Sequence, residues 1–207
     1  MVSSAVGAGF SRRLYVARAV RAAADRTVHL GLTGADARGR GRFGVVATFR
    51  LEVTVRDLRR DDLPGCGWAG GPGHLGFVTV ALRRAELGEV EYLAVCPPTD
   101  LPLAIGGVDY TRRPGAGTLW QLAVHPAVRS CGLGTLLIGA AERRIAERGH
   151  DRAELSVAED NPRARALYER LGYLAYGREP EEWNVVTPDG TVTRHRATCV
   201  LMRKPLH

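Results

Sequence analysis

Residues 123–144, AVHPAVRSCGLGTLLIGAAERR, decide how the rest of the chain is read. An apolar run ends at Pro126 and the chain passes through Arg129, Gly132 and Gly134. Apolar residues then recur at helical spacing, with Leu133, Leu136, Leu137, Ala140, Ala141 and Ile145 on one stripe and Glu142, Arg143, Arg144, Glu147 and Arg148 turned outward. The pattern predicts a strand, a loop and an amphipathic helix over 133–148 that Gly149 stops. A helix start leaves four backbone N–H groups without intrahelical acceptors and carries the positive end of the dipole, which favours phosphate. Gly132 and Gly134 let an anion approach the main chain, and Arg129 adds a charged donor. Two other phosphate loops are excluded. The dinucleotide fingerprint needs a third glycine where Leu137 stands, and the Gly-Lys-Ser/Thr loop needs a lysine, whereas Lys204 is the only one in the chain. Taken alone, two glycines at a helix start are more often an ordinary turn.

The surroundings extend the pattern in both directions. Upstream, VVATFRLEVTVRDL, from about residue 46, reads as a first strand, and RDDLPGCGWAGG supplies turns. Leu75, Val78, Ala81, Leu82 and Ala85 predict a helix over 75–87. The runs VEYLAVC, LAIGGVDYT and GTLWQLAV follow with short connections and suggest an antiparallel meander. Downstream come the strand RAELSV, the helix NPRARALYERLG and the strand YLAYG, and TPDGTVTRHRATCVLM adds a turn and a last strand. Strands joined through helices favour parallel pairing, so the expected fold is a single α/β (α+β) domain whose mixed central sheet is flanked by helices.

Composition sets further bounds. The chain has 207 residues and a formal charge of +7, which raises the question of a nucleic-acid partner. Residues 1–45 hold eight Arg against Asp25 and Asp36, while the other 162 residues carry 21 basic and 20 acidic groups, so the basicity belongs to the tail. Residues 1–45 are therefore expected to be a disordered Arg/Gly-rich extension, residues 46–207 the folded domain, and nucleic acid is not an expected partner. The tail superficially resembles an organellar transit peptide, but 28 Arg to one Lys runs through the whole chain and points to a GC-rich coding sequence. No secretory apolar core or membrane-length run is present in the sequence. Cys66, Cys96, Cys131 and Cys199 show no metal-type spacing, which fits a reduced cytoplasmic protein and implies no metal.

Residues 117–177 together resemble the GCN5-related N-acetyltransferase (GNAT) family: a strand ending in LAVHP, the Arg-x-x-Gly-x-Gly loop at Arg129–Gly134, an amphipathic helix, a strand, and NPRARALYERLGY. The resemblance implies an acetyl-CoA co-substrate and its fold of mixed sheet and helices. It implies that main-chain groups of Leu122, Ala123 and Val124 pair with the pantetheine arm as an added strand would, with the Leu122 N–H at the oxyanion. Amides of Ser130, Cys131, Gly132, Leu133, Gly134 and Thr135, with Arg129, are expected to hold the pyrophosphate, and Asn161 and Tyr168 to stand near the thioester. Tyr168 is the expected donor to the leaving thiolate. Two residues also have a plain structural reading, Tyr168 as a core tyrosine and Asn161 before Pro162 as a helix cap, while the setting of Cys131 can lower a thiol pKa, although its backbone N–H is expected to matter more than its sulfur.

The proton acceptor is less specified. The glutamate used in the histone-acetylating branch is replaced here by Thr118, and the Leu-Glu-Val of the ribosomal N-terminal acetyltransferases reads Leu155-Ser156-Val157. Asp109, Tyr110, His125 and Glu91 are the remaining candidates, with Asp109 ranked first. Trp68 and its glycine-rich flanks suit a lid over the acceptor cleft. The expected reaction is acetyl transfer from acetyl-CoA to a primary amine of a small molecule by direct attack in a ternary complex. Protein lysine or N-terminal acetylation and a noncatalytic acyl-CoA sensor are the alternatives. Dimerisation is common in the family, so a homodimer is a further expectation of the resemblance.

Overall fold

The computed structural model describes residues 14–15, 31–33, 44–45, 51–186 and 191–206. Three short segments, β1 (Leu14–Tyr15), β2 (Gly31–Thr33) and β3 (Gly44–Val45), pair antiparallel. The rest of the expected extension over 1–45, and the expected strand residues 46–50, lie outside the described residues.

The body is a seven-stranded sheet built from β4 (Thr54–Asp57), β5 (Val90–Cys96), β6 (Ala104–Asp109), β7 (Ala116–Val124), β8 (Arg152–Ala158), β9 (Leu174–Val186) and β10 (Val192–Pro205), in the order β4-β5-β6-β7-β8-β10-β9. β4 to β7 form the antiparallel meander that the alternating runs predict. β7 and β8 are parallel because a helix connects them, and β10 lies antiparallel between β8 and β9.

Helices α1 (Gly71–Glu86), α2 (Leu133–Glu147) and α3 (Pro162–Arg170) flank the sheet. The α2 stripe, with Leu133, Leu137, Ile138, Ala141 and Ile145 buried, packs in one cluster with Leu93, Val95, Val108, Leu119, Leu155 and Val157. On the other side Val78, Ala81 and Leu82 of α1 pack with Tyr92, Ala94, Cys96 and Ile105. The outward charges of α2 tie the layers at their rims: Arg144 meets Asp57 and Arg148 meets Glu91.

The structure corrects several sequence-based expectations. Among the described residues the first strand covers Thr54–Asp57, and residues 51–53 are outside any strand. The glycine-rich stretch before α1 is not a set of turns but a 3-10 helix, Arg60–Ala69, pinned where Asp62 accepts from the Arg59 backbone N–H at 2.7 Å and from Arg56 at 2.7 and 2.9 Å. α1 starts at Gly71 rather than 75, with a proline in its first turn. The last two strands form a hairpin longer than expected, because residues 178–184 (REPEEWN) carry little apolar alternation, and cross-strand pairs such as Arg196 Nε to Glu182 Oε1 at 2.6 Å take its place.

Candidate active site

β7 carries two irregularities at its far end. Its parallel ladder with β8 runs from Ala116–Arg152 to Leu119–Leu155 and stops, so residues 120–124 have no strand partner on that side. On the β6 side, Ile105 faces Ala123 and Gly107 faces Trp120, so Gly106 alone spans Gln121 and Leu122. This is a β-bulge, and Gln121 takes φ of +50° within it. The Tyr92 hydroxyl donates to Gln121 Oε1 at 3.2 Å and helps hold the bulge. A Cβ on Gly106 would stand 2.4 Å from Leu122 Cδ2, and one on Gly107 2.5 Å from Trp120 Nε1, so both must be glycine for the bulged strand to lie this close. The bulge and the lost ladder together leave main-chain groups of Leu122, Ala123 and Val124 along an open edge. The Val124 carbonyl is met by Arg129 Nε at 3.2 Å.

Beyond a short 3-10 turn, Pro126–Val128, the loop reaches α2 through Ser130 (φ +67°) and Gly132 (φ +84°). Gly132 is the N-cap residue and offers no side-chain cap, so the amides of Leu133, Gly134 and Thr135 are free of an intrahelical acceptor. Gly134 is inside the helix with ordinary backbone. A Cβ there would lie 3.6 Å from Leu167 Cδ2 and from Val124 Cγ2, a normal contact, so the fold itself does not require glycine at this position. The same contact shows that the end of β7, the first turn of α2 and α3 converge. Arg163 of α3, a cation that the motif did not single out, donates to Ser130 Oγ at 2.7 Å and sits at the loop.

Tyr168 of α3 is 9% exposed and packs edge-on against Tyr173, with ring centroids 6.0 Å apart. Burial pushes its phenol up to about 12, so it is protonated at neutral pH and has a proton to donate. Asn161 caps α3, accepting from the Ala164 N–H at 3.1 Å. Cys131 is buried, and burial raises its pKa rather than lowering it, which removes the reactive-thiol reading.

Two of the four candidate bases, Asp109 and Glu91, are paired to arginines, while the Tyr110 hydroxyl has no hydrogen-bond partner among the described residues. Asp109 is 2% exposed and receives Arg84 Nη1 at 2.8 Å, Arg84 Nη2 at 3.3 Å, and the Thr111 N–H and hydroxyl at 2.9 and 2.8 Å. Burial alone would raise its pKa, but these bonds outweigh it and hold the carboxyl below its usual range. A carboxylate so held is a poor proton acceptor, and its bonds to Arg84 tie α1 to β6. Glu91 lies between Arg148 at 2.8 Å and Arg144 at 3.5 Å. Tyr110 stacks on His150 and carries Arg148 at 4.2 Å over its ring. His125 Nδ1 accepts from the Ala127 N–H at 3.2 Å, so in the neutral ring the other nitrogen bears the proton. Trp68 packs edge-on against His125 with centroids 5.3 Å apart, which joins the glycine-rich 3-10 helix to the end of β7. Among the described residues no group of three His, Cys, Asp or Glu is placed to hold a metal, and no helix is long and apolar enough to cross a membrane.

The acetyltransferase (GNAT) family model matches residues 56–173. The chain belongs to this family. That places it among the acetyl-CoA-dependent acyltransferases and accounts for the mixed sheet with its strand-loop-helix unit. Solved GNAT-type structures share the fold. The ribosomal-protein-S18-alanine N-acetyltransferase from Escherichia coli is 20% identical, with a TM-score of 0.52 over 75% of this chain and 94% of that one. The spermidine N-acetyltransferase from Vibrio cholerae, solved in complex with CoA and spermine, is 16% identical, with a TM-score of 0.57 over 74% and 95%. The IAA acetyltransferase from Bacillus cereus is 13% identical, with a TM-score of 0.57 over 75% and 100%.

Proposed function

We propose that this GNAT protein moves the acetyl group of acetyl-CoA to a primary amine of a small molecule, by direct attack within a ternary complex. The observation that carries the reading is the convergence at Gly134: an open strand edge, an uncapped helix start and the helix bearing Tyr168 come together around it, so that a Cβ there would lie 3.6 Å from both Val124 and Leu167. The residues fit the co-substrate. Free amides of the first turn of α2, with Arg129 and Arg163, suit a pyrophosphate, and the absent Cβ at Gly134 leaves its oxygens room. The unpaired edge at Leu122–Val124 suits the amide-bearing pantetheine arm, which would pair there like a strand.

Bound acetyl-CoA supplies an activated acetyl group as a thioester. The chain orients it through the strand edge and loop, and the Leu122 N–H donates to the carbonyl oxygen as charge develops there. The C–N bond forms as the C–S bond breaks, and Tyr168 gives its proton to the departing thiolate. Asn161 caps α3 and so fixes the helix that carries Tyr168. With Asp109 and Glu91 paired to arginines and His125 Nδ1 occupied by the Ala127 N–H, the proton of the amine passes to water. A small acceptor is supported by the absence of a glutamate at Thr118 and at Ser156.

The test is release of free CoA thiol with and without a set of small amines, followed against pH. Amine-dependent release is expected, with kcat/KM rising about tenfold per pH unit up to about pH 9, because the acceptor's own ammonium, with a pKa near that of lysine, must lose its proton. A plateau set near pH 6–7 would mean that a side chain is the base. No release with any small amine would remove the small-molecule reading.

A further inference from the structure

Beside the point where β7 and β8 part, on the side of the sheet that carries α1, lies a groove of about 220 Å³ whose lining includes Arg112, Arg113, Thr118, Glu154, Glu179 and Glu181. Its charges are mostly matched internally. Glu154 accepts from Arg152 at 2.8 Å and from the Tyr176 hydroxyl at 2.7 Å, with Arg113 at 4.0 Å. Glu179 pairs with Arg113 at 3.1 Å, and Arg112 approaches Asp109 at 3.7 Å while lying 5.7 Å from the Trp120 ring centroid. Glu181 has no hydrogen-bond or ion-pair partner among the described residues. Independently, the Thr118 hydroxyl is buried, in a residue 8% exposed, and has no hydrogen-bond partner. A buried hydroxyl left unpaired is destabilising, so its presence calls for a partner that the free chain does not contain.

We infer that this groove is the acceptor site and takes a small molecule bearing two amino groups. The Thr118 hydroxyl meets the nitrogen that is acetylated, and Glu181 holds the second as an ammonium. The inference rests on the acetyltransferase reading and adds the substrate class. The reasoning is electrostatic. The nitrogen that attacks is uncharged at the moment of attack, so it cannot neutralise Glu181 then, and a second cation on the same molecule does. The volume lies below the range usual for drug-sized ligands, which fits a compact acceptor.

Two probes separate the possibilities: 1,4-diaminobutane, and butylamine as the monoamine that lacks the second charge. Wild-type enzyme is expected to show a KM about tenfold lower for the diamine, the equivalent of one charge-assisted contact. Glu181→Gln is expected to abolish that preference, leaving the KM for butylamine and the affinity for CoA unchanged. Thr118→Val is expected to weaken both amines while leaving Tm unchanged or raised, the reverse of what a structural threonine gives. Calorimetric titration of the diamine into CoA-saturated protein reads the same contacts without turnover. Equal affinity for the two amines in wild type, or a diamine affinity that Glu181→Gln leaves intact, would overturn the inference. Glu181-dependent diamine binding with no CoA release would uphold the groove and sink the acetyltransferase reading instead.

Discussion

Tyr168→Phe is expected to lower kcat by about two orders of magnitude, the usual contribution of a positioned general acid, with CoA affinity changed less than threefold. The hydroxyl is the only part removed. The ring keeps its place against Tyr173 and in the core shared with Leu137 and Leu155, so the variant should fold with Tm within a few degrees of wild type. Because burial raises the Tyr168 pKa to about 12, the wild-type profile should show no alkaline limb from this residue below about pH 10. The measurement is kcat against pH for both proteins beside calorimetric CoA binding. An unchanged kcat would return Tyr168 to the role of a core tyrosine.

The second large effect concerns stability. Asp109→Asn is expected to cost about 2–3 kcal/mol, a fall in Tm of about 5–10 °C, because it removes a buried carboxylate facing the Arg84 guanidinium, 29% exposed, and two donors from Thr111. Its folded pKa is depressed, so the stability it contributes is present above the ordinary carboxylate value near 4 and is lost as pH falls through the lower folded value. The Tm gap between wild type and variant should therefore close in acid. The pH profile of turnover in the folded variant should match wild type. A profile that loses an ionisation in the variant would reinstate Asp109 as the base.

The surroundings of these two residues differ in how far the sequence announces them. The place of Tyr168 on a helix was legible because it lies in a continuous stretch whose helical period, cap and closing glycine are all local. The contacts of Asp109 were not legible, because its partner Arg84 is 25 residues away on a different element and no local pattern announces that pair. The strand-loop-helix from β7 into α2 was plain from periodicity. The bulge within β7 was not, although Gly106-Gly107 in the middle of an apolar strand was an available signal, since glycine there marks a bulge or a close approach. The groove could not be read at all. Thr118 and Glu154 are parallel-strand neighbours, and Glu181 comes from the far hairpin, so only the folded sheet brings them together.

The central claim is that the first turn of α2 holds the pyrophosphate of acetyl-CoA, and Gly134→Ala tests it most directly. Alanine at this position has normal contact room 3.6 Å from Leu167 and Val124, and it favours helix over glycine by up to about 1 kcal/mol. The account predicts a Tm equal to or above wild type together with CoA affinity, measured by calorimetry, weakened at least about tenfold, because the added methyl would fill the space beside Leu167 and Val124 that the proposed site gives to bound CoA. A variant that is as stable as wild type and binds CoA equally well would contradict it.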